Sequence, residues 1–495
     1  MQKRGEAKRV YFVGIKGTGM AALAELMLNK GCSVYGSDTK EVFYTDSILT
    51  QLGIPYFESF DAEHITNSSP DLLIYSTAYS RETNPEIAKA DELGIPLLSY
   101  SDALGEYSAD FDSTGITGVH GKTTTTAITG TMLKGAGVPA QILVGSAVSS
   151  FGDRSTINLG DKYFVAETCE YRRNFLSFHP KKIILTSVES DHQDYFPTYK
   201  SIRDAFVEFG RLLPADGELI YCADDPGASE VAFALKKEKP CLRITPYGFS
   251  AAGDYGIETY EVSNERLTLR LRGFPAELKL RIPGKHTALN TAAAFALCSS
   301  LVKKEFGSET NDGWNEERIA GLKKTLEEFS GSRRRSEILG EAGGILFMDD
   351  YGHHPTAIKS TLDGLKEFYP QRRLIISFMS HTYTRTAALF DEFASCFESA
   401  DLILLHKIYS SAREVYRGGI SGKALFEKAK QLAGGQFSGT GERFFYSEEV
   451  EDGAELLKTK LRPGDLFITM GAGDNWKLGK MLFNHYLENA KEGTQ

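Results

Sequence analysis

Apolar and polar positions along this chain fall into blocks that read as strand, turn, helix and strand again. Residues 10–15 (VYFVGI) form a short unbroken apolar run, the pattern of a strand covered on both faces. The run enters Gly14-Ile15-Lys16-Gly17-Thr18-Gly19-Met20, and residues 21–30 follow with helical spacing. Residues 32–35 and 71–75 are the next strands, ending at Gly36-Ser37-Asp38 and Ser76-Thr77-Ala78. This alternation predicts a parallel sheet with covering helices.

A polar stretch, residues 105–112 (GEYSADFD), marks a first boundary. Beyond it, 113–117 lean toward strand and 123 to about 135 toward helix. Strands are expected at 163–167, 182–187 and 218–222, with a helix at 199–213. Residues 266–272 (RLTLRLR) alternate with period two, as a half-exposed strand does. Residues 290–303 are an Ala-rich helix, and a second boundary falls near Ser330–Arg333. The last block alternates once more. Strands are expected at 344–348, 373–378, 402–405 and 466–470, and helices at 355–368 and 387–399. The fold class is α/β. At 495 residues the chain is too long for one core, and about one domain per ~150 residues gives roughly three.

Composition narrows the class. With 41% hydrophobic and 25% charged residues, the chain is an ordinary globular protein. A net charge of −10 argues against nucleic acid as a partner. The six cysteines form no C-x-x-C pair, so zinc-finger spacing is absent and reduced, cytosolic thiols are expected. Basic residues open the chain (Lys3, Arg4, Lys8, Arg9), but the apolar run after them is too short for a signal peptide. No apolar stretch approaches the ~20 residues of a membrane span. The expectation is a cytoplasmic, multi-domain enzyme.

The chemistry concentrates at the strand ends. Gly118-Val119-His120-Gly121-Lys122-Thr123-Thr124 reads as a phosphate-binding loop, although Ile116 stands where the longer G-x-x-x-x-G-K-[ST] form has its first glycine. Glycines let several N–H groups face one anion, and the helix N-terminus adds partial positive charge. Lys122 suits the β/γ-phosphates of a nucleoside triphosphate, and the Thr123 hydroxyl suits Mg²⁺. A ligand-free Gly/Thr-rich helix start is the alternative. The earlier loop has the order G-x-x-G-x-G, not G-x-G-x-x-G, so dinucleotide binding and a bare turn both stay open there. Glu167 and Asp191-His192 sit at neighbouring strand ends, where carboxylate and imidazole reach a metal held between phosphates. Asp349-Asp350-Tyr351-Gly352-His353-His354 holds more titratable groups than capping requires, and Arg385 in HTYTRT suits a carboxylate or phosphate.

Together these segments resemble the Mur ligase family, ATP-dependent amide-bond-forming enzymes of peptidoglycan precursor synthesis. The resemblance covers nearly the whole chain. It rests on VGIKGTGMAALAE with GSD at 36–38, STAYSRETNPEI at 76–87, GVHGKTTTT, ETCEYRRNFL at 167–176 and ESDHQDYF at 189–196. It continues through GKHTALN at 284–290, DDYGHHPTAI at 349–358, HTYTRT at 381–386 and MGAGD at 470–474. DDYGHHPT is shared with a branch that recycles a murein tripeptide, whereas HTYTRT and MGAGD look like the alanine-adding branch.

The resemblance implies three domains: a Rossmann-like UDP domain (1–110), a central P-loop ATPase domain (111–330) and a Rossmann-like amino-acid domain (331–495). It implies ATP and Mg²⁺ as cofactors, UDP-N-acetylmuramate and L-alanine as substrates, and a monomer or homodimer. The UDP-sugar falls to Gly14, Gly17, Thr18, Gly19, Met20, Ser37, Asp38, Ser76, Thr77, Ala78 and Tyr351. ATP falls to residues 118–124, with His286 and Asn290 at the adenine end and Arg334 nearby. Thr123, Glu167 and His192 match metal-region positions. Lys122, Asp350, His353, His381 and Arg385 match positions facing the reacting groups. The implied reaction runs from the lactyl carboxylate to an acyl phosphate, which the amine of L-alanine attacks. Rival readings are a tripeptide ligase and a non-catalytic UDP-sugar-binding protein, the latter motivated by Ser187 and Thr287, where the family usually has Asn. Lys16, Val119 and Ser336 also depart from the family pattern; a cation at Lys16 would suit the UDP diphosphate but adds a side chain where close backbone approach is expected.

Overall fold

The apolar run VYFV becomes β1 (Arg9–Val13), buried from Val10 onward because strands flank it on both sides. The computed structural model describes residues 8–308, 310, 312–410, 414, 418–434 and 443–492; Lys3 and Arg4 lie outside them. With β2 (Ser33–Ser37), β3 (Tyr56–Phe57), β4 (Leu72–Tyr75) and β5 (Leu97–Ser99), β1 forms a five-stranded parallel sheet of order β3-β2-β1-β4-β5. The loop after β1 leads into helix Thr18–Asn29.

The second sheet has seven strands. They are β6 (Asp112–Thr117), β7 (Ala140–Val148), β8 (Arg154–Asn158), β9 (Tyr163–Glu167), β10 (Lys182–Leu185), β11 (Glu218–Cys222) and β12 (Arg243–Tyr247). Their order is β12-β11-β10-β6-β9-β7-β8, parallel except for the β7–β8 pair. Helix Lys122–Ala136 starts directly after the phosphate loop. Its threonines are buried without penalty because Thr126, Thr129 and Thr131 each donate to the carbonyl four residues back. The Ala-rich helix Lys285–Phe306 packs against it, and its small side chains let the two axes approach. A small antiparallel sheet, β13 (Ile257–Ser263), β14 (Arg266–Leu271) and β15 (Leu278–Leu280), completes this unit. β14 alternates in burial as its sequence period predicts.

The third sheet holds β16 (Glu337–Ala342), β17 (Ile345–Asp350), β18 (Arg373–Met379), β19 (Leu402–Leu405), β20 (Phe444–Tyr446) and β21 (Asp465–Gly471). Its order is β16-β17-β21-β18-β19-β20, with only the β16–β17 pair antiparallel. The architecture is therefore α/β, built in three units. One apolar cluster runs from the second unit into the third, and another joins the first unit to the opposite face of the second.

The polar stretch 105–112 lies where the first unit passes into the second, and helix Tyr100–Ala109 runs through most of it. Its polar letters hide a packed face: Tyr107 is buried with its hydroxyl on Gln141 Oε1, and a Cβ on Gly105 would lie 2.1 Å from the Ser177 carbonyl. The helix expected at 387–399 is two shorter ones, Tyr383–Ala388 and Phe390–Ser395, broken at Leu389, whose φ/ψ of −118/33 is not helical.

Candidate active site

The phosphate loop leaves the C-terminal end of β6, where open α/β sheets bind ligands. Gly121 turns it into the helix with φ of +80°, and a Cβ there would lie 2.5 Å from Asn290 Oδ1, so glycine is required twice over. Ser187 braces the loop: its Oγ accepts the His120 N–H at 2.9 Å and its carbonyl accepts the Val119 N–H at 3.0 Å. The serine that replaces the family's usual Asn thus still holds the loop. Thr287, by contrast, donates to the Pro283 carbonyl just ahead of its own helix.

Lys122 is 14% exposed, and its Nζ donates to the Gly118 carbonyl at 2.6 Å and to Glu170 at 2.8 Å. Burial lowers its pKa, but the negative charge of Glu170 and the neighbouring Cys169 and Glu167 outweigh this and raise it overall. Glu170 is itself 1% exposed. Burial pushes its carboxyl up, yet Lys122 and His192 bring it below the ordinary carboxylate range. Thr123 donates to Glu167 Oε1 at 3.1 Å, and Glu167 also accepts the Gly145 N–H. Thr123 and Glu167 therefore meet, while His192 turns its Nε2 to Glu170 Oε1, 3.4 Å away. Among the described residues His120, Glu189 and His354 bring one potential ligand atom each within 4.8 Å of one another.

The third unit faces this loop. Arg385 is 7% exposed; its Nε donates to Asp191 Oδ1 at 2.8 Å and its Nη1 to the His381 carbonyl at 2.7 Å. Asp191, buried against Arg385, His192 and His353, titrates far below the ordinary range despite its desolvation. Arg385 was expected to offer its fork to an amino-acid carboxylate; here one edge already holds a protein carboxylate from the second unit. Burial and the Arg385 charge hold His353 well below its usual pKa, and its Nδ1 lies 2.9 Å from the Tyr351 carbonyl. Burial and the nearby His120 take His354 down to about 4. Asp350 is raised by burial and accepts the N–H groups of Ser336 at 2.7 Å and Gly352 at 2.6 Å. Arg334 joins Asp349 at 2.8 Å to the Gly471 carbonyl at 2.9 Å and lies over the Tyr351 ring.

All these loops open into one cavity of about 840 Å³. Of the expected residues, Val119, His120, Gly121, Lys122, Thr123, Thr124, His192, His286, Asn290, Arg334, Asp350, Tyr351, His353, His381 and Arg385 line it. Gly118 and Glu167 stand just behind its wall through their bonds to Lys122 and Thr123. Burial takes His286 down to about 4, and its Nδ1 is buried without a hydrogen-bond partner. Sequence reasoning passed over Glu170, Glu189 and His354 as site residues, although all three stand inside the quoted motifs. Their signal was the density of charge around Glu167, His192 and His353.

Apart from Tyr351, the expected UDP residues lie in the first unit, outside the lining of that cavity. Gly17, Thr18 and Gly19 are partly exposed at the helix start, but Met20, Ser37 and Asp38 are buried. Asp38 accepts the Lys16 and Thr39 N–H groups, both at 2.7 Å, and the Ser37 hydroxyl donates to Glu86. Lys16 does not point toward a diphosphate. Its side chain is 0% exposed, and its Nζ contacts the Thr39 and Glu41 carbonyls, Glu58 and Asp46 at 3.0–3.1 Å. Four acceptors on one ammonium outcompete an excursion toward the loop. All six cysteines are unpaired thiols, as their spacing predicts. Among the described residues no helix is long and apolar enough to cross a membrane.

Three family models match the chain. They are described as Mur ligase family, catalytic domain (residues 9–112), Mur ligase middle domain (116–298) and Mur ligase, glutamate ligase domain (334–473). The UDP-N-acetylmuramate–L-alanine ligase of Treponema pallidum (strain Nichols) is 50% identical over 480 residues, 97% of each chain. That of Borreliella afzelii (strain PKo) is 37% identical over 476 residues, covering 96% of this chain and 98% of the relative. The crystal structure of UDP-N-acetylmuramate-alanine ligase MurC from Thermotoga maritima superposes with a TM-score of 0.74 at 25% identity. The match covers 97% of this chain and 99% of that one.

Proposed function

This chain belongs to the Mur ligase family, and we propose that it joins L-alanine to the lactyl carboxylate of UDP-N-acetylmuramate at the expense of ATP. The observation that carries this reading is the single cavity onto which the phosphate loop and the third unit's Asp350, His353, His381 and Arg385 all open. An acyl phosphate must form where nucleotide and carboxylate meet, and must be intercepted by an amine before water reaches it. In this reading the sugar's carboxylate attacks the γ-phosphate, ADP leaves, the amine attacks the acyl carbon and phosphate departs. Lys122 exchanges Glu170 for the phosphates and offsets charge on the transferred group. The neutral His353 stands on the amino-acid side, where an imidazole can accept the proton that the amine loses.

The Thr123 hydroxyl and Glu167 carboxylate are oxygen donors of the kind Mg²⁺ takes alongside phosphates. When bound there, Mg²⁺ supplies further charge to the transferring phosphoryl group. Arg385 serves the amino-acid end by keeping Asp191 in place and presenting the remaining edge of its guanidinium to the cavity. The UDP moiety is assigned to the partly exposed Gly17-Thr18-Gly19 turn of the first unit. Sedimentation would separate monomer from homodimer.

The test is phosphate release with ATP, Mg²⁺ and UDP-N-acetylmuramate, supplying L-alanine, glycine, L-serine or murein tripeptide in turn. Release dependent on L-alanine supports the assignment. Release with tripeptide alone moves the chain to the recycling branch, and no release with any acceptor identifies a binding protein.

A further inference from the structure

Three side chains outside the proposed Mg²⁺ position converge between the second and third units. His120 Nε2 lies 3.4 Å from Glu189 Oε2, and His354 Nδ1 lies 3.8 Å from the same oxygen. One donor atom from each of the three lies within 4.8 Å of the others. The two imidazole rings are 4.8 Å apart and tilted by 52°, so they are not simply stacked. We propose that His120, Glu189 and His354 form a binding site for a Zn²⁺-class divalent cation, distinct from the Mg²⁺ that accompanies nucleotide.

Each group is held in place. The Ser187 hydroxyl takes the His120 N–H, and the Thr186 hydroxyl donates to the His120 carbonyl, which fixes the backbone under the imidazole. Its Nε2 is buried with no hydrogen-bond partner. Glu189 is steadied by the Thr356 hydroxyl at 3.0 Å. His354 is the N-cap of helix Pro355–Phe368, and its Nδ1 accepts the Thr356 N–H over a long 3.3 Å. That bond leaves the proton on Nε2 and aims the Nδ1 lone pair at the Thr356 N–H, so ligation through Nδ1 exchanges this long N-cap contact for the ion.

The donor set decides which metal. Two imidazoles and one carboxylate suit Zn²⁺, Co²⁺ or Ni²⁺, whereas Mg²⁺ prefers oxygen donors and keeps its waters. Tetrahedral bonds of ~2.0–2.1 Å place ligand atoms on the order of 3.3 Å apart. The His120–Glu189 pair is already near that spacing, and His354 completes it by turning from the Thr356 N–H toward the ion. Three protein ligands leave a fourth position for water, as in open zinc sites. Because His354 comes from the third unit, a bound ion would tie that unit to the phosphate loop without nucleotide.

The experiment uses the full chain, stripped of metal and kept reduced, without nucleotide. Co²⁺ is titrated while visible absorption is followed, and Zn²⁺ affinity is measured against a chromophoric chelator with millimolar Mg²⁺ present. The expected result is one Co²⁺ per chain, nitrogen/oxygen-type bands without a thiolate charge-transfer band, and displacement by Zn²⁺. His354→Ala and Glu189→Gln should each weaken Zn²⁺ binding at least tenfold, with metal-free thermal unfolding checked for both. If one variant fails to fold, the other decides. The proposal is overturned by the absence of stoichiometric binding or by full affinity in a folded variant. A sulfur-to-metal band also overturns it, because it would place the ion on the non-buried Cys32, Cys169 or Cys241.

Discussion

The loops after β1 and after β6 are both strand–glycine–helix corners, and the structure treats them differently. The first closes on its own neighbours. The Lys16 N–H donates to the carboxylate of Asp38, 22 residues away, and the Lys16 ammonium is spent on residues 39–58 of the same unit. The second is closed by groups from afar: Lys122 by Glu170, Gly121 by Asn290, and the flanking Asp191 by Arg385 of the third unit. A corner that satisfies its own charges is a rigid backbone cradle. A corner whose lysine is neutralised by a side chain far along the chain can exchange that partner for a ligand.

Removing Lys122 should have the largest effect. Lys122→Ala is expected to lower ligation by 10²–10³-fold or more, on the order of 3–4 kcal/mol of transition-state stabilisation. Single-turnover phosphate release measures it, and near-normal turnover would mean that the second corner is not the catalytic one. Arg385→Ala comes next. It leaves Asp191 buried without its cation, and a positional error at the amino-acid end should cost on the order of 10²-fold in ligation with far less change in ATP affinity. Arg385→Lys should recover only part, because a point charge cannot hold Asp191 and the His381 carbonyl in one plane. Equal losses in ATP binding and ligation would show that Arg385 belongs to the nucleotide rather than to the amino-acid end.

Lys16→Met tests the other corner. It removes the ammonium at similar volume and should cost ~1–3 kcal/mol in urea unfolding, since Asp46 and Glu58 can turn to water. KM for UDP-N-acetylmuramate should rise while KM for ATP stays put. A change in ATP KM alone would erase the proposed division between the corners.

The smallest effect is that of pH. His354 titrates near 4 in the folded chain against about 6.5 when unfolded. Its contribution to stability is intact above pH 6.5 and falls as pH drops toward 4, because only the unfolded state takes up the proton. At the first corner Asp46 is lowered; burial raises it, but the Phe43 N–H and Lys16 more than offset this. Its contribution holds above the ordinary aspartate value of about 3.9 and is lost only below it. Hydrogen-exchange protection should therefore loosen around residues 118–124 between pH 6.5 and 4.5 and persist around 14–20. Simultaneous loosening would contradict the contrast.

Much of this was legible before folding. Period and run length located β1, β6, β9, β11, β14 and the helix at Pro355, because apolar burial on a strand or helix face is written in consecutive residues. Local chemistry marked the phosphate loop, since glycine turns and a helix start lie within one short segment. The packing of the polar segment 105–112 was not legible, because its partners, Gln141 and Ser177, lie in other elements. The acceptors that hold Lys16 were not legible either, because they lie 23 to 42 residues further along the chain.

By itself the sequence determined the α/β alternation, the two glycine corners, the family and the residue types available for phosphate and carboxylate chemistry. Tertiary structure alone decided which acid neutralises which cation. Lys122 meets Glu170 across 48 residues, and Arg385 meets Asp191 across 194. Pairing at such separations is set by how sheets stack and loops converge. The strength of each pair then depends on burial, which removes the water that would otherwise screen it.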